Sequence, residues 1–182
     1  MTDRDTYRET VSRLASGLAV VATRDPRGKP VGLLLQAIFS LAVDPPRLLL
    51  SVGTGSRTLP SLLGRRVFSV NVLGGSGADR LRARFASTAD DKFADLPWQP
   101  ARLGASPGAE AVDLPEGVPV LTSGVTATLI CRLEEHLTRH DHVLLIAEPL
   151  VAEPRPSNAG DGDPLIYYRH EFVPLRPGRI PV

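Results

Sequence analysis

The chain has 182 residues, 42% of them hydrophobic and 23% charged, with 21 Lys and Arg against 20 Asp and Glu for a formal net charge of +1. That length suits one core spanning 1–182 and is short for two domains, and the near-neutral balance argues against a phosphate-backbone binder, so no nucleic-acid partner is expected. The single cysteine, Cys131, excludes an intramolecular disulfide and a cysteine-built zinc site within one chain, which fits a reducing cytoplasmic setting.

The first residues, Met1 to Asp5, lack the basic patch and apolar run of a secretory signal, and no apolar stretch reaches the roughly 18 residues of a membrane span. A soluble, unprocessed protein with no membrane partner is expected. Thr6 and Glu9 have capping-box spacing, Tyr7, Val11 and Leu14 share a helical face, and Gly17 is placed to end that helix. Leu18 to Thr23 reads as a buried strand, and Arg24 to Pro30 carries Pro and Gly where a hairpin turn needs them. The return arm, Val31 to Val43, is apolar for most of its length and should stop at Asp44-Pro45-Pro46, where two prolines cannot donate to a ladder.

Arg47 to Val52 is the next strand, followed by the polar loop Gly53 to Thr58 and a short helix, Leu59 to Leu63. Val67 to Leu73 alternates as a strand, and Ala78, Leu81, Ala83 and Phe85 lie among arginines in a second amphipathic helix. Gln99 to Gly117 is rich in Pro, Gly and Ala and reads as a long irregular connection, either a lid or a loose link. Three further strands are expected at 125–137, 143–151 and 165–172, with a polar loop from Pro154 to Pro164. Aromatics are only 5%, so Val, Leu, Ala and Ile must fill the interior, and the helices are too few to cover a parallel sheet. A mostly β, mostly antiparallel barrel with short peripheral helices follows.

Four groups of residues carry candidate chemistry. Ser56, Arg57 and Thr58 combine two hydroxyls, a guanidinium and the N–H groups of a helix start, which suit a phosphate; a plain helix cap is the alternative. In Arg139-His140-Asp141-His142 a carboxylate flanked by imidazoles could orient a histidine for proton transfer or cofactor contact. A surface hairpin turn is the alternative, and His136 nearby raises a metal site, for which no third ligand has diagnostic spacing. Arg80, Arg82, Arg84 and Phe85 could meet a nucleotide's phosphates, or form a solvated face paired with Asp79, Asp90 or Asp91. Cys131, between apolar neighbours, reads as a buried structural thiol rather than a nucleophile, and Trp98 as a core or rim aromatic. No glycine-rich dinucleotide fingerprint, phosphate-binding Gly-Lys-Ser/Thr loop or Gly-x-Ser-x-Gly elbow is present.

Taken in order, several segments resemble the flavin reductase family with the FMN-binding split-barrel fold. They are Gly17-Leu18-Ala19-Val20-Val21-Ala22-Thr23, Val43-Asp44-Pro45-Pro46-Arg47-Leu48, Ser56-Arg57-Thr58-Leu59-Pro60, Phe68 to Leu73, Arg84-Phe85-Ala86-Ser87, Lys92-Phe93, Cys131, Asp141-His142 and Leu165-Ile166-Tyr167-Tyr168. The resemblance implies a split barrel of Greek-key-like topology that binds FMN or FAD at a homodimer interface, takes hydride from NADH or NADPH, and supplies reduced flavin to a partner monooxygenase. Carried over, Ser56, Arg57 and Thr58 would meet the flavin phosphate, and Gln36, Ala37 and Ser40 belong to the segment before the double proline that holds the cofactor. Arg84, Phe85 and Ala86 would line it, His142 would face the nicotinamide, and Asp141 would orient that imidazole. No metal is implied.

The chain departs from the family pattern at Leu34-Leu35-Gln36-Ala37, where a run such as Thr-Ala-Ser-Ser is usual, at Ala42, where serine is frequent, and at His140, where glycine is frequent. Leucines at 34 and 35 would remove side-chain hydrogen bonds to the flavin ring and narrow its slot. A rival reading follows: a redox-inactive split-barrel homologue whose pocket takes a more apolar ligand or catalyses a non-redox step. A third is a structural subunit that keeps only the dimer surface.

Overall fold

The computed structural model describes residues 2–101, 117–155 and 163–174. Strands dominate: a seven-stranded antiparallel sheet, a three-stranded sheet and a two-stranded pair, with three short helices. In chain order the elements are α1 (Arg4–Val11), β1 (Ser16–Gly17), β2 (Ala19–Arg24), β3 (Pro30–Leu35), β4 (Ile38–Val43), β5 (Pro46–Gly53), α2 (Leu59–Arg65), β6 (Val67–Leu73), α3 (Ala78–Ala86), β7 (Trp98–Ala101), β8 (Val118–Leu121), β9 (Val125–Arg139), β10 (His142–Pro154), β11 (Leu165–Tyr168) and β12 (Glu171–Pro174).

The large sheet has the order β3-β2-β6-β9-β10-β5-β4, which places β3 and β4 at opposite edges. Those strands follow one another in sequence through Gln36 and Ala37 alone. A flat seven-stranded sheet would separate its edges by about 29 Å, at roughly 4.8 Å per strand, whereas the three steps from Leu35 to Ile38 reach at most about 11 Å. The sheet must therefore curl until its edges meet, with no β3–β4 ladder across the seam. This is a barrel split along one side, and the nesting of the β9–β10 hairpin between β5 and β6 gives the Greek-key-like order.

Strand β2 is buried on both faces. Val21 and Ala19 point into the barrel interior with Leu50, Val52, Phe68, Leu133 and Leu145, and Leu59 and Leu62 of α2 close one end of that core. Val20 and Ala22 pack on the opposite side against Leu81 and Phe85 of α3, Phe93, Leu121 and Leu165. This double burial explains why the segment is a continuous apolar run and not an alternating one.

Several expectations need correction. The first helix starts earlier: Asp3 is its cap, its carboxylate accepting from the N–H groups of Asp5 and Thr6 at 3.0 and 2.9 Å, while Thr6 Oγ1 donates to Asp3 at 2.7 Å. Glu9 pairs with Arg13 instead of closing a capping box, and Gly17 lies in β1, after the helix has ended at Ser12. The helix buries none of its residues, and Tyr7 and Leu14 stand exposed. The 31–43 arm divides at Gln36–Ala37, because the chain changes sheet edges there. Pro46 begins β5 across a two-residue turn whose Asp44–Pro45 bond is cis, so the prolines mark a hairpin. Ala83 is exposed, leaving Ala78, Leu81 and Phe85 as the buried face of α3. The 165–172 segment is a hairpin, turned by Arg169 and His170 with φ of 51° and 66°, the left-handed pair a tight β-turn requires. The 99–117 connection opens in β7 and closes in β8, which pair with each other. Residues 102–116 and 156–162 of the two expected loops lie outside the described residues.

Candidate functional site

The C-terminal end of β5 gathers the candidate residues. Ser51 donates its N–H to the carbonyl of Ala37 at 3.0 Å, which ties the β3–β4 link to this strand. Two residues on, Gly53 stands opposite His142 in the ladder. Thr54 then donates both its N–H and its Oγ1 to the carbonyl of Asp141, at 2.8 and 3.1 Å. The 53–58 loop and the 139–142 turn, distant in sequence, are thus fixed to each other.

That turn is a two-residue hairpin loop in which His140 takes φ of 51°. Left-handed backbone there is the physical reason a glycine would be comfortable at this position. Its tip presents Asp141 and His142, with Asp141 Oδ1 2.9 Å from His142 Nδ1. The hydrogen bond from His142 holds the Asp141 carboxyl below its usual range, helped by a backbone hydrogen bond and by the imidazole charge. With Nδ1 directed at the carboxylate, Nε2 is the nitrogen left to meet a ligand. A side chain at Gly53 would come within 4.0 Å of it, so glycine there leaves room beside the ring.

Beyond the turn, the loop borders a cleft of about 420 Å³, within the size range of small-molecule sites. One wall is Gly55 to Thr58, another is Pro30 to Leu33 of β3, and the third is the segment Ser87 to Asp90 with Lys92 and Phe93. Arg57 crosses between two of these walls: Nη1 donates to Asp90 Oδ1 at 3.0 Å, and Nη2 to the carbonyls of Thr88 and Ala89, both at 3.2 Å. Lys92 Nζ donates to the carbonyl of Phe85 at 2.7 Å, and burial, with the Arg57 charge second, lowers its pKa. Neighbouring Asp91 turns away to Lys29 at 3.0 Å and caps the N–H groups of Phe93 and Ala94. Its carboxyl is held low, first by Lys29.

Two of the three N–H groups of residues 56–58 are already engaged. Ser56 donates its N–H to Gly53 and accepts at its carbonyl from Leu59, while Ser56 Oγ accepts from the Thr58 N–H at 3.3 Å. Thr58 is buried, and its side chain makes no cap hydrogen bond. What the loop offers an anion is therefore its side chains more than its N–H groups.

The other expected site residues scatter. Gln36 and Ala37 are exposed at the link beside Ser51, while Ser40 lies opposite Leu48, further along β4 from the cleft. Phe85 is buried, edge-on to Phe93 at 5.1 Å, so its ring is core and it shapes the cleft from behind. Arg84 and Ala86 flank it at the end of α3 and lead into the Ser87–Asp90 wall. Leu35 packs in the barrel interior and Leu34 against the α3 core, so neither forms the apolar pocket wall expected of them; the cleft is lined by Leu33. Arg80 reaches the Asp95 carbonyl, and Arg82 pairs with Asp79 and lies over Phe172 at 4.3 Å, a solvated face with its own partners. Cys131 is fully buried and its thiol is pushed up to about 12, which leaves no thiolate for nucleophilic chemistry. Trp98 is half-buried, edge-on to Phe93 and beneath Arg24. Among the described residues, no three of His, Cys, Asp and Glu are gathered closely enough to hold a metal ion, and no helix is long and apolar enough to cross a membrane.

Sequence reasoning missed Thr88, Asp90 and Lys92 as cleft residues. They come from a loop without periodicity, and only the Lys92-Phe93 pair carried any signal.

Comparison with known proteins agrees with this picture. The family model described as a flavin reductase like domain matches residues 11–176. A flavin reductase (NADH) from Kitasatospora aureofaciens is 36% identical over 173 residues, covering 95% of this chain and 82% of the relative. The reductase component of a 4-nitrophenol 4-monooxygenase/4-nitrocatechol 2-monooxygenase from Rhodococcus opacus is 32% identical over 177 residues, covering 96% and 84%. Among solved structures, the NADH:FAD oxidoreductase SgcE6 of Streptomyces globisporus C-1027, in complex with NAD and FAD fragments, superposes with a TM-score of 0.79. It is 22% identical and is matched over 97% of this chain and 95% of that one, which establishes the shared fold.

Proposed function

The chain belongs to the flavin reductase-like family, and from that premise we propose that it is an NAD(P)H-dependent flavin reductase supplying reduced FMN or FAD to a partner monooxygenase. The observation that carries this reading is the convergence on one cleft of Ser56, Arg57, Thr58 and Lys92, with the Asp141–His142 turn fixed to the same loop. Two hydroxyls and two cationic groups are the donor set a phosphate needs, so the residues present fit a phosphorylated cofactor.

The flavin supplies the hydride-accepting ring and the nicotinamide nucleotide the hydride. The protein's own work is binding, orientation and exclusion of water. Ser56 and Thr58 hydroxyls and the Arg57 guanidinium meet the phosphate, and Lys92 adds positive charge behind them. Gln36 and Ala37 present backbone groups near the end of β5, and Ser40 extends that segment. Arg84, Phe85 and Ala86 set the position of the Ser87–Asp90 wall. His142, oriented through Nδ1 by Asp141, offers Nε2 to the nicotinamide side. No covalent step on a side chain is needed, so these residues would act by holding and orienting the two cofactors.

The reading includes a homodimer and a cytoplasmic location, where nicotinamide nucleotides are held. Support for the dimer comes from edge strand β4, whose Phe39, Leu41 and Val43 are exposed. Residues 1–182 are read as one domain, because β2 contributes to both major cores and leaves no boundary between them. The redox-inactive alternative drew on an apolar pocket wall at Leu34 and Leu35; Leu35 is buried in the barrel interior, and Leu34, half-buried, packs against the α3 core, so neither lines the cleft.

Anaerobic mixing of the protein with NADH or NADPH and either FMN or FAD, following loss of the oxidised-flavin absorbance, tests the reading. Bleaching well above a protein-free control is expected. No bleaching with any of the four pairs sinks it.

A further inference from the structure

We propose that Asp90 is a built-in competitor for the cofactor's phosphate at Arg57, so that this pair sets how strongly the site prefers a phosphorylated flavin. The inference rests on the reading of the 56–58 loop as the phosphate contact. It goes beyond that reading by naming the group a phosphate must displace.

Arg57 is not waiting free in the cleft. Its two terminal nitrogens already face the opposite wall, one on the Asp90 carboxylate and the other on the Thr88 and Ala89 carbonyls. A phosphate gripped bidentately through the two terminal nitrogens, the end of the side chain that reaches furthest into the cleft wall, needs that same forked edge. At that edge an arriving phosphate and the Asp90 carboxylate are alternative partners for one guanidinium.

Exposure shows which partner yields. The Asp90 side chain is 98% exposed and that of Arg57 62%, so their attraction is screened by water and salt. A phosphate carries more charge than a carboxylate and brings further contacts from Ser56 and Thr58, so it displaces Asp90. Asp91, one residue on, is built differently: it is committed to Lys29 and to two backbone N–H groups, and does not touch Arg57. The two adjacent carboxylates thus have separate tasks, Asp91 in folding the wall and Asp90 in occupying the cation.

Removing the competitor without removing the cation should tighten phosphate binding. Equilibrium titrations by flavin fluorescence would compare FMN with riboflavin, which lacks the phosphate, for the unmodified chain, Asp90→Asn, Asp91→Asn, Arg57→Gln and the Arg57→Gln/Asp90→Asn double variant. Asp90→Asn should tighten FMN roughly two- to five-fold, the upper range of an exposed ion pair. Riboflavin should stay within about two-fold, and Asp91→Asn should have the smaller effect on FMN. In the Arg57→Gln background the Asp90 effect should vanish. Circular dichroism of each variant separates binding changes from misfolding.

Unchanged or weaker FMN binding by Asp90→Asn overturns the proposal. So does equal tightening of FMN and riboflavin, which would place the effect on the ring, and so does a full Asp90 effect in the double variant, which would make it a general charge effect. Failure of the underlying reading looks different: FMN and riboflavin would bind the unmodified chain alike, with Arg57→Gln changing neither, or no flavin would bind at all.

Discussion

Asp141 Oδ1 lies 2.9 Å from His142 Nδ1 at the tip of the β9–β10 hairpin, and the same Asp141 anchors the 53–58 loop through its backbone carbonyl. The carboxylate thus acts on the imidazole while the main chain acts on the loop, and the two roles can be separated. Asp141→Ala should keep the Thr54 contacts, leave flavin affinity unchanged and slow hydride transfer roughly ten-fold by freeing the ring. Single-turnover bleaching gives the rate, and nitrogen chemical shifts of His142 give the tautomer. A changed tautomer with an unchanged rate would remove His142 from the reaction. The pH dependence has a definite sign. The folded Asp141 pKa is lowered, so the contribution of the pair is fully present above the ordinary carboxylate value of 3.8 and is lost as pH falls through the lower folded value.

Gly32 is the position where β3 passes closest to its neighbours. A Cβ there would stand 3.0 Å from both Phe85 Cε1 and the Val21 carbonyl oxygen, and 3.3 Å from Phe93 Cε2. The rings have some freedom, but the carbonyl belongs to the ladder between β2 and β3 and does not. Gly32→Ala should cost about 1–3 kcal/mol. Urea unfolding should show a lower midpoint at unchanged slope, and an unaltered midpoint would mean the backbone shifts freely here.

How much of this was legible in the sequence follows from the range of the forces involved. Strands β2, β5 and β6 were readable because burial writes itself as apolar runs and alternation, and the buried thiol of Cys131 was readable from its neighbours. The break at Gln36–Ala37 was not, because it answers to the curling of the whole sheet and not to any local preference. The cap at Asp3 was missed because Thr6 and Glu9 offered the commoner spacing. At the site, Ser56 to Thr58 and Asp141-His142 stood out by composition and resemblance, but their union through Thr54 depends on the β5–β10 register. By proximity in sequence Asp90 is a partner for the arginines of α3, whereas in the fold it meets Arg57, 33 positions away in sequence. The resemblance makes Leu34 and Leu35 pocket residues, while the strand's two faces send Leu35 into the barrel interior and set Leu34, half-buried, against the α3 core.

Beneath β8, Asn71 and Thr128, both buried and polar, should respond to mutation in opposite ways. Asn71 Nδ2 donates to the Val20 carbonyl at 3.1 Å and to Ser69 Oγ at 2.9 Å, and its Oδ1 accepts from the Leu121 N–H at 3.0 Å. Opposite it in the ladder, Thr128 is buried with no partner for its hydroxyl among the described residues. Asn71→Leu should cost roughly 1–3 kcal/mol for each backbone group it orphans, whereas Thr128→Val should be neutral or stabilise by about 1 kcal/mol. Chemical denaturation of both variants checks the contrast. A marked loss in Thr128→Val would show that the hydroxyl has a partner, such as a buried water.

Strand β4 ends the large sheet on one side, and natural sheets seldom leave such an edge both unpaired and apolar. Here Phe39, Leu41 and Val43 are 55%, 47% and 84% exposed, at every second position along the strand. Fully covering an exposed side chain of this size contributes about 1.5–3 kcal/mol, so a second copy seated on this edge would offset part of its association cost there. Val43 is the most exposed of the three and stands beside the Asp44–Pro45 turn, where a lysine would not disturb the barrel interior. The homodimer reading therefore expects the unmodified chain to weigh as two copies by light scattering, and Val43→Lys to shift it towards the monomer with little loss of folded structure. A chain that is monomeric before any substitution would sink the reading. A dimer untouched by Val43→Lys and by Phe39→Lys would move the interface away from β4.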